Sequence, residues 1–596
     1  MTKNPIFFRQ SNIILVVIFI ILNIQTVMSM SPNLQLLTDP FLQLPNENSV
    51  KVVWFTEYAG SQHIVSYGKD LNQKVLANTT LLSRTQEDEN SRVGNQIKDG
   101  QIYQKLTRRN IWRHEAEVTG LTPGIRVPYQ VASVGENGEV VKSNVFSLTP
   151  KPLPGTSLKI LLTSDHQIKP MTAANLQKVK ETVGKVDAVF FAGDLANIPD
   201  RASEWFDDNN GGAFFPCLQG RASYTLEKNH QKTIYTGGDL IQYAPMFTAI
   251  GNHEVMGRFA PDTNLSLQFG DTPFPRYIAE EIYTKNSLKI NPDNNPEIRA
   301  NWLKDNSFNT DTYNEIFSLP NNSNYYAVTF GDIRLVVLYI TNIWRSPFVT
   351  PSTKGKYSER EIDFNNPNAW GYGQFIFEPI KKGSTQYNWL EKELNSNEFK
   401  QAKYKIVMFH HPPHTLGENA IPAYTDPVQI IEYNSNKTIK SIRYEYPKKD
   451  DYIIRDVLPL LETAKVQLVY YGHSHLWNRF ISPSGMHFLE SSNVGNSYGA
   501  YLGDKKRHIP INNQENYQEN YQENYAAIDN PNGLSAIVPN IAPLLDENGK
   551  PLPYISSNDI TVFSIFDTGK ATISSYYFDT RKTESEVVKF DEFKLK

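Results

Sequence analysis

The chain has 596 residues, with 59 Lys plus Arg against 63 Asp plus Glu, a net charge of −4, and 31 Phe, 32 Tyr and 8 Trp within a hydrophobic fraction of 40%. This near-balance argues against a nucleic-acid or polyanion binder, which needs a basic surplus, and the apolar content excludes global disorder. A single cysteine, Cys217, excludes an intrachain disulfide and any cysteine-based zinc or iron–sulfur site.

At the start of the chain, Lys3 and Arg9 precede the apolar run Ile13–Leu22, and polar residues lead on to Val27-Met-Ser29. The run is shorter than the roughly 20 residues that span a bilayer. Its charged, apolar and small-residue order predicts that residues 1–29 are a cleaved signal peptide. The mature chain is then expected without a transmembrane anchor, secreted or in the lumen of the secretory or lysosomal pathway. Four Asn-x-Ser/Thr sequons, at Asn78, Asn264, Asn321 and Asn436, fit that route as glycosylation acceptors. Cys217 reads as a buried small hydrophobe.

Residues 34–152 read as strands. Val50–Thr56, Ser61–Tyr67 and Arg113–Val118 alternate apolar and polar positions, and Pro128–Val134 is a further candidate. Turns at Leu121–Gly124 and Gly135–Gly138 punctuate them, as in a small all-β sandwich. Lys151–Gly155 reads as a linker.

From residue 156 the pattern changes. Leu158–Thr163, Val186–Phe191, Tyr404–Phe409 and Val466–Tyr471 are buried-strand runs, and Tyr325–Ile340 reads as a hairpin. Met171–Gly184, Thr385–Leu394 and Tyr452–Ala464 have helical spacing. Strands alternating with helices predict an α/β domain over 156–505. Long polar stretches at 200–243, 255–320, 345–382 and 415–450 read as insertions that shape a site. Gln514-Glu-Asn-Tyr repeats three times through Tyr525, so 506–550 reads as a low-complexity linker. Residues 555–582 are expected to form a hairpin that packs on the α/β domain.

Five motifs each follow an apolar run: Asp165-His-Gln167, Gly193-Asp194, Gly251-Asn-His-Glu254, His410-His-Pro412 and Gly472-His-Ser-His475. Ligands bind outside the carboxyl ends of strands in open α/β sheets, so all five can converge on one place. Asp, Asn and His together suit Mn, Fe, Zn or Co. There is no convincing Ser/His/Asp or Cys/His arrangement and no Gly-rich phosphate loop of the P-loop type.

On these motifs the chain resembles the calcineurin-like metallophosphoesterase superfamily, and within it the purple acid phosphatases that carry a fibronectin type III-like sandwich before the catalytic domain. The resemblance implies an α/β (α+β) metallophosphoesterase fold, a sandwich of sheets flanked by helices, preceded by an immunoglobulin- or fibronectin-like all-β sandwich. It implies two metal ions, drawn from Fe, Zn and Mn. Asp194 would bridge them, Asp165 and His475 would hold the first, and Asn252, His410 and His473 the second. His253 would contact phosphate or donate a proton to the leaving group, and His411 would touch substrate or pack beside the site. Two ions about 3.5–4 Å apart can share a hydroxide for in-line attack on phosphorus.

Two positions depart from the family pattern. Asn197 stands where purple acid phosphatases have a tyrosine, three residues after the bridging aspartate. Gln167 stands where other members have a histidine, two residues after the first aspartate. Either amide oxygen is a candidate ligand, and no purple charge-transfer band is expected. The leading expectation is a phosphomonoesterase acting on phosphorylated small molecules or other phosphoesters, with no nucleic-acid partner. The alternatives are a phosphodiesterase acting on cyclic nucleotides or phospholipid head groups, and an adhesive glycoprotein with a weak catalytic domain.

Overall fold

The computed structural model describes residues 34–94, 103–271, 274–341, 357–359, 361–367, 370–371, 378–417, 419, 421–445, 447–500, 527–528 and 532–596. The expected signal peptide and the Gln-Glu-Asn-Tyr repeats lie outside these residues. The elements below all belong to the unit Leu36–Lys596.

The N-terminal part is an all-β sandwich. One sheet has the order Phe41–Gln43, Val50–Thr56, Trp112–Val118, Asn78–Leu81, and the other Val140–Lys142, Val127–Val134, Gln62–Tyr67, Gln73–Leu76. Val52, Trp54, Val65, Tyr129 and Val131 fill the space between them. The indole of Trp54 keeps its N–H satisfied by donating to Ser133 Oγ at 2.9 Å, as a buried indole must. Gln73–Leu76 and Asn78–Leu81 are short and largely exposed, which is why alternation does not announce them.

Two larger sheets follow. The six-stranded sheet runs Met246–Thr248, Ala188–Phe191, Lys159–Thr163, Ile560–Asp567, Thr572–Asp579, Val588–Lys594. Its first three strands are parallel, and Ile560–Asp567 joins Lys159–Thr163 antiparallel. The expected hairpin is thus built into the sheet, and a third strand extends it. The seven-stranded sheet runs Tyr326–Phe330, Ile333–Val337, Tyr404–Met408, Leu468–Tyr471, His487–Ser491, Trp477–Ile481, Tyr554–Ile555.

Side chains alternate across a strand, so each strand of this second sheet feeds two cores. Leu335, Ile406, Met408, Leu468 and Tyr470 face a core shared with Ile160, Leu162 and Ile565 of the first sheet. Val336, Val407, Val469 and Tyr471 face the opposite way, toward Leu390 and Leu394 of the helix Thr385–Leu394. That helix is capped by Ser384, whose side chain accepts from the Tyr387 N–H.

The stretch expected as a polar insertion over 255–320 carries helices Arg276–Ile290, Pro296–Asp305 and Asp311–Ile316. The 415–450 stretch carries the paired strands Val428–Tyr433 and Ile439–Glu445. Part of the segment expected as a linker is also tied down: Ile537 N–H donates to the Arg479 carbonyl at 2.9 Å and Ile541 N–H to the Phe590 carbonyl at 3.0 Å.

Candidate metal centre

Parallel strands present their carboxyl ends on one edge, and here both sheets do so together. Lys159–Thr163 leads to Asp165, Ala188–Phe191 to Asp194, and Met246–Thr248 to Asn252. From the second sheet, Tyr404–Met408 leads to His410 and Leu468–Tyr471 to His473. Cross-links draw the two sets together. Asp165 N–H donates to the Gly193 carbonyl at 3.0 Å, and His473 N–H donates to Asp165 Oδ2 at 2.9 Å.

The chain leaves the strands through strained turns. Asp165, Gln167, Asp194, His473 and His475 all have positive φ, between 39° and 82°. Such conformations cost a non-glycine residue free energy and concentrate at functional sites. Glycine is required where the turns touch. A Cβ on Gly251 would lie 2.2 Å from Asp194 Oδ1, and one on Gly472 would lie 2.4 Å from Asp165 Oδ2.

Three imidazole nitrogens surround one amide oxygen. Asn252 Oδ1 lies 3.2 Å from His410 Nε2, 3.1 Å from His411 Nε2 and 3.1 Å from His473 Nδ1. On the other side, Asp194 Oδ2 lies 3.2 Å from His410 Nε2, and Asp165 Oδ1 lies 3.4 Å from His475 Nε2. The ligand atoms of Asp165, Asp194 and His410 fall within 4.8 Å of one another, as do those of His410, His411 and His473. The second grouping brings His411 fully into the cluster, and its far nitrogen, Nδ1, meets the Tyr424 hydroxyl at 2.8 Å. His166, inside the first motif, points away: its Nε2 meets Thr163 Oγ1 at 2.9 Å, and burial lowers it to about 3.

The two departures from the family pattern occupy different places. Gln167 Nε2 donates to Asp194 Oδ2 at 2.5 Å, so its amide orients the central carboxylate. Asn197 contributes its backbone: the carbonyl accepts from His253 Nδ1 at 2.6 Å. The His253 ring stacks on Phe269 with centroids 5.1 Å apart, and its Nε2 lies 4.0 Å from Asp194 Oδ2.

Two buried carboxylates beneath the site carry roles that motif reading missed. Glu254 accepts the N–H groups of Asp194, Leu195 and Gly251 at 2.7–2.8 Å. Glu490 accepts from Ser474 N–H at 2.7 Å and from Asn478 Nδ2 at 3.0 Å. Burial, reinforced by the charge of Asp194, raises the Glu254 carboxyl above its usual range, and burial with the charge of Asp165 pushes Glu490 up to about 8. Glu254 closes a quoted motif, and Glu490 is a lone charge in the strand His487–Ser491, so both left a mark in the sequence.

The donor set fits metal ions. Burial opposes a charged His410, but the Asp194 carboxylate outweighs it and raises the imidazole to about 9. His410 and His253 in turn hold the buried Asp194 carboxyl well below its usual range. Asp165 Oδ1 and Gln167 Oε1 are buried and accept no hydrogen bond. A buried oxygen without a donor costs about 1–3 kcal/mol, a cost that a coordinated cation removes. Donor separations near 3.1–3.4 Å are also those of neighbouring ligands about 2.1 Å from one ion.

A sequence model of calcineurin-like phosphoesterases matches residues 158–476. Among solved structures, the chain is 14% identical to purple acid phosphatase PPD1 from yellow lupin (Lupinus luteus) seeds, covering 93% of this chain and 73% of that one with a TM-score of 0.48. It is 12% identical to PhoD, covering 92% and 91% of the two chains with a TM-score of 0.38. No curated protein matches it in sequence.

Proposed function

The chain belongs to the calcineurin-like phosphoesterase family, and from that premise we propose that it is a secreted, acid-phosphatase-like hydrolase of phosphoric monoesters. The observation that carries this reading is the convergence of two carboxylates, an amide oxygen and three imidazoles at the shared edge of two sheets. Asp165, Asp194 and His475 would hold one ion, and Asp194, Asn252, His410 and His473 the other. Bound there, divalent or trivalent ions of the Fe, Zn or Mn type supply Lewis acidity to the phosphoryl oxygens and acidify water for attack on phosphorus.

The chain's own residues do the rest. The Asn197 carbonyl can only accept, so His253 Nδ1 carries hydrogen and Nε2 is the nitrogen that would act on the substrate. A proton held at Nε2 can pass to the departing ester oxygen. Gln167 holds one oxygen of Asp194, and the backbone N–H of His253 holds the other at 2.9 Å, which fixes the orientation of the central carboxylate. His410 is oriented by its second nitrogen, Nδ1, which meets the Ala192 carbonyl at 2.8 Å.

The signal-like residues 1–29 and the four sequons support passage through the secretory pathway as a glycoprotein, with the N-terminal sandwich as a fibronectin-like companion domain. The test is hydrolysis of p-nitrophenyl phosphate and bis-p-nitrophenyl phosphate by secreted protein reconstituted with Mn, Fe or Zn, beside an Asp194→Asn control. Faster monoester turnover, lost in the control, is the expected result. A diester preference replaces the reading with a phosphodiesterase. No turnover with any metal overturns it.

A further inference from the structure

Tyr498 stands beside the His475 face of the site with no part in the machinery described above. Its ring centroid lies 5.2 Å from that of His475, tilted by 35°, while half of the residue remains open to solvent. The turn that carries it is fastened to the same histidine. His475 Nδ1 meets the Asn496 carbonyl at 2.9 Å, and Ser497 Oγ donates to the His475 carbonyl at 2.7 Å. Ser497 N–H is anchored from outside by Asn558 Oδ1 at 2.6 Å. The Tyr498 hydroxyl oxygen accepts from Asn496 Nδ2 at 3.3 Å, which leaves its own proton for another acceptor.

We infer that Tyr498 is a substrate-contacting residue whose phenol O–H donates to an oxygen of the bound phosphoryl group, and whose ring shields the His475 side of the site from water. The inference rests on the phosphoesterase reading and extends it to a contact that neither Gln167 nor Asn197 supplies. Gln167 gives its amide N–H to Asp194, and Asn197 gives its carbonyl to His253. A phenol suits this place because it is neutral at neutral pH and a rigid donor, so it adds a hydrogen bond to an anion without competing with a cation for the carboxylates. The ring fixes where the donor sits, since the tyrosine side chain has only two torsions to restrain.

The experiment compares wild type, Tyr498→Phe and Tyr498→Ala, each reconstituted with metal. Three quantities are measured: inorganic phosphate affinity by calorimetry, metal content, and KM for p-nitrophenyl phosphate. The Phe variant keeps the ring and loses only the donor. It is expected to weaken phosphate binding about tenfold and raise KM by a similar factor, with metal content unchanged. The Ala variant is expected to weaken binding further. Unchanged phosphate affinity in the Phe variant overturns the inference. So does loss of metal from it, or an intense visible band in the iron-loaded wild type that the Phe variant lacks, since either makes the phenol a ligand. Phosphate binding is read without turnover, so a wild type that binds phosphate but hydrolyses neither ester defeats the hydrolase reading and leaves this one decided separately.

Discussion

His253 Nδ1 and the backbone carbonyl of Asn197 meet at 2.6 Å, so a position expected to matter through its side chain works here through its main chain. Asn197 itself is held. Its N–H and that of Ile198 both donate to Glu204 Oε2 at 2.7 Å, and the other oxygen of Glu204 accepts from Arg201 at 3.1 Å. The Asn197→Ala variant, which keeps the carbonyl, is therefore expected to retain kcat within about threefold, while His253→Ala loses about 10²–10⁴. Steady-state kinetics on p-nitrophenyl phosphate decide the matter, and equal losses would return the Asn197 side chain to the reaction centre.

Arg201 extends the same chain into the N-terminal region. Its Nη2 bonds both oxygens of Asp88 at 3.0–3.1 Å, and all three charged groups are buried. Removing one partner leaves the others desolvated, so Arg201→Met should cost about 3–5 kcal/mol of stability in urea unfolding. Adding Asp88→Asn to that variant should restore part of the loss. A double variant no better than the single one would mean that the pair is not coupled.

Glu254 and Glu490 hold the loops on which the candidate ligands sit. Replacing an outer partner of this kind costs about 10–100-fold in metal affinity or activity. Glu254→Gln and Glu490→Gln are each expected to fall in that range by metal titration, and Asp194→Asn to fall beyond it. Full metal affinity in both Gln variants would reduce these carboxylates to packing.

His114 illustrates the pH behaviour of the sandwich. It stacks on His63 with ring centroids 3.5 Å apart, and burial, with His63 and Arg113 nearby, lowers it to about 2. An unfolded histidine titrates near 6.5, so below that pH the unfolded chain binds a proton that the folded chain refuses, and stability falls with acidification. His114→Gln removes this dependence. The stability gap between wild type and variant should narrow by about 2 kcal/mol between pH 6.5 and 5.0 in chemical denaturation. A gap constant with pH would show that His114 takes up its proton in the folded chain as readily as in the unfolded one.

The four sequons are not equivalent. Asn78, Asn321 and Asn436 are exposed, whereas the Asn264 side chain accepts the Leu267 N–H at 2.9 Å and donates to Glu89 at 3.0 Å. Glycan mapping of secreted protein is expected to find the first three occupied and Asn264 bare. A glycan on Asn264 would require that its helix cap form after modification.

Much of the central architecture is legible in the sequence, because buried parallel strands are short, apolar and bounded by turns. Leu158–Thr163 and Tyr404–Phe409 announce themselves this way, and each is followed by a residue of the cluster. The exposed strands of the sandwich are not legible, nor are the helices of 255–320, which bury few residues each: Leu303 alone in Pro296–Asp305, and Ile278, Ala279 and Tyr283 among the fifteen of Arg276–Ile290. The partners of the site residues are hidden for a different reason. Nothing in the text of the chain says that Asn197 will offer its carbonyl, or that Tyr498 will stand beside His475, since both follow from turns closed by contacts distant in sequence.

The strand that delivers Asp165 takes one of its two neighbours from far downstream, and Leu158 N–H closes on Thr568 Oγ1 across 410 positions. During synthesis Lys159–Thr163 must therefore wait, one edge unpaired and sticky, while most of the protein emerges. The order of assembly makes the site a late product: a nascent chain stopped before Ile560 carries all of the candidate ligands yet lacks the strand that sets their first one in place.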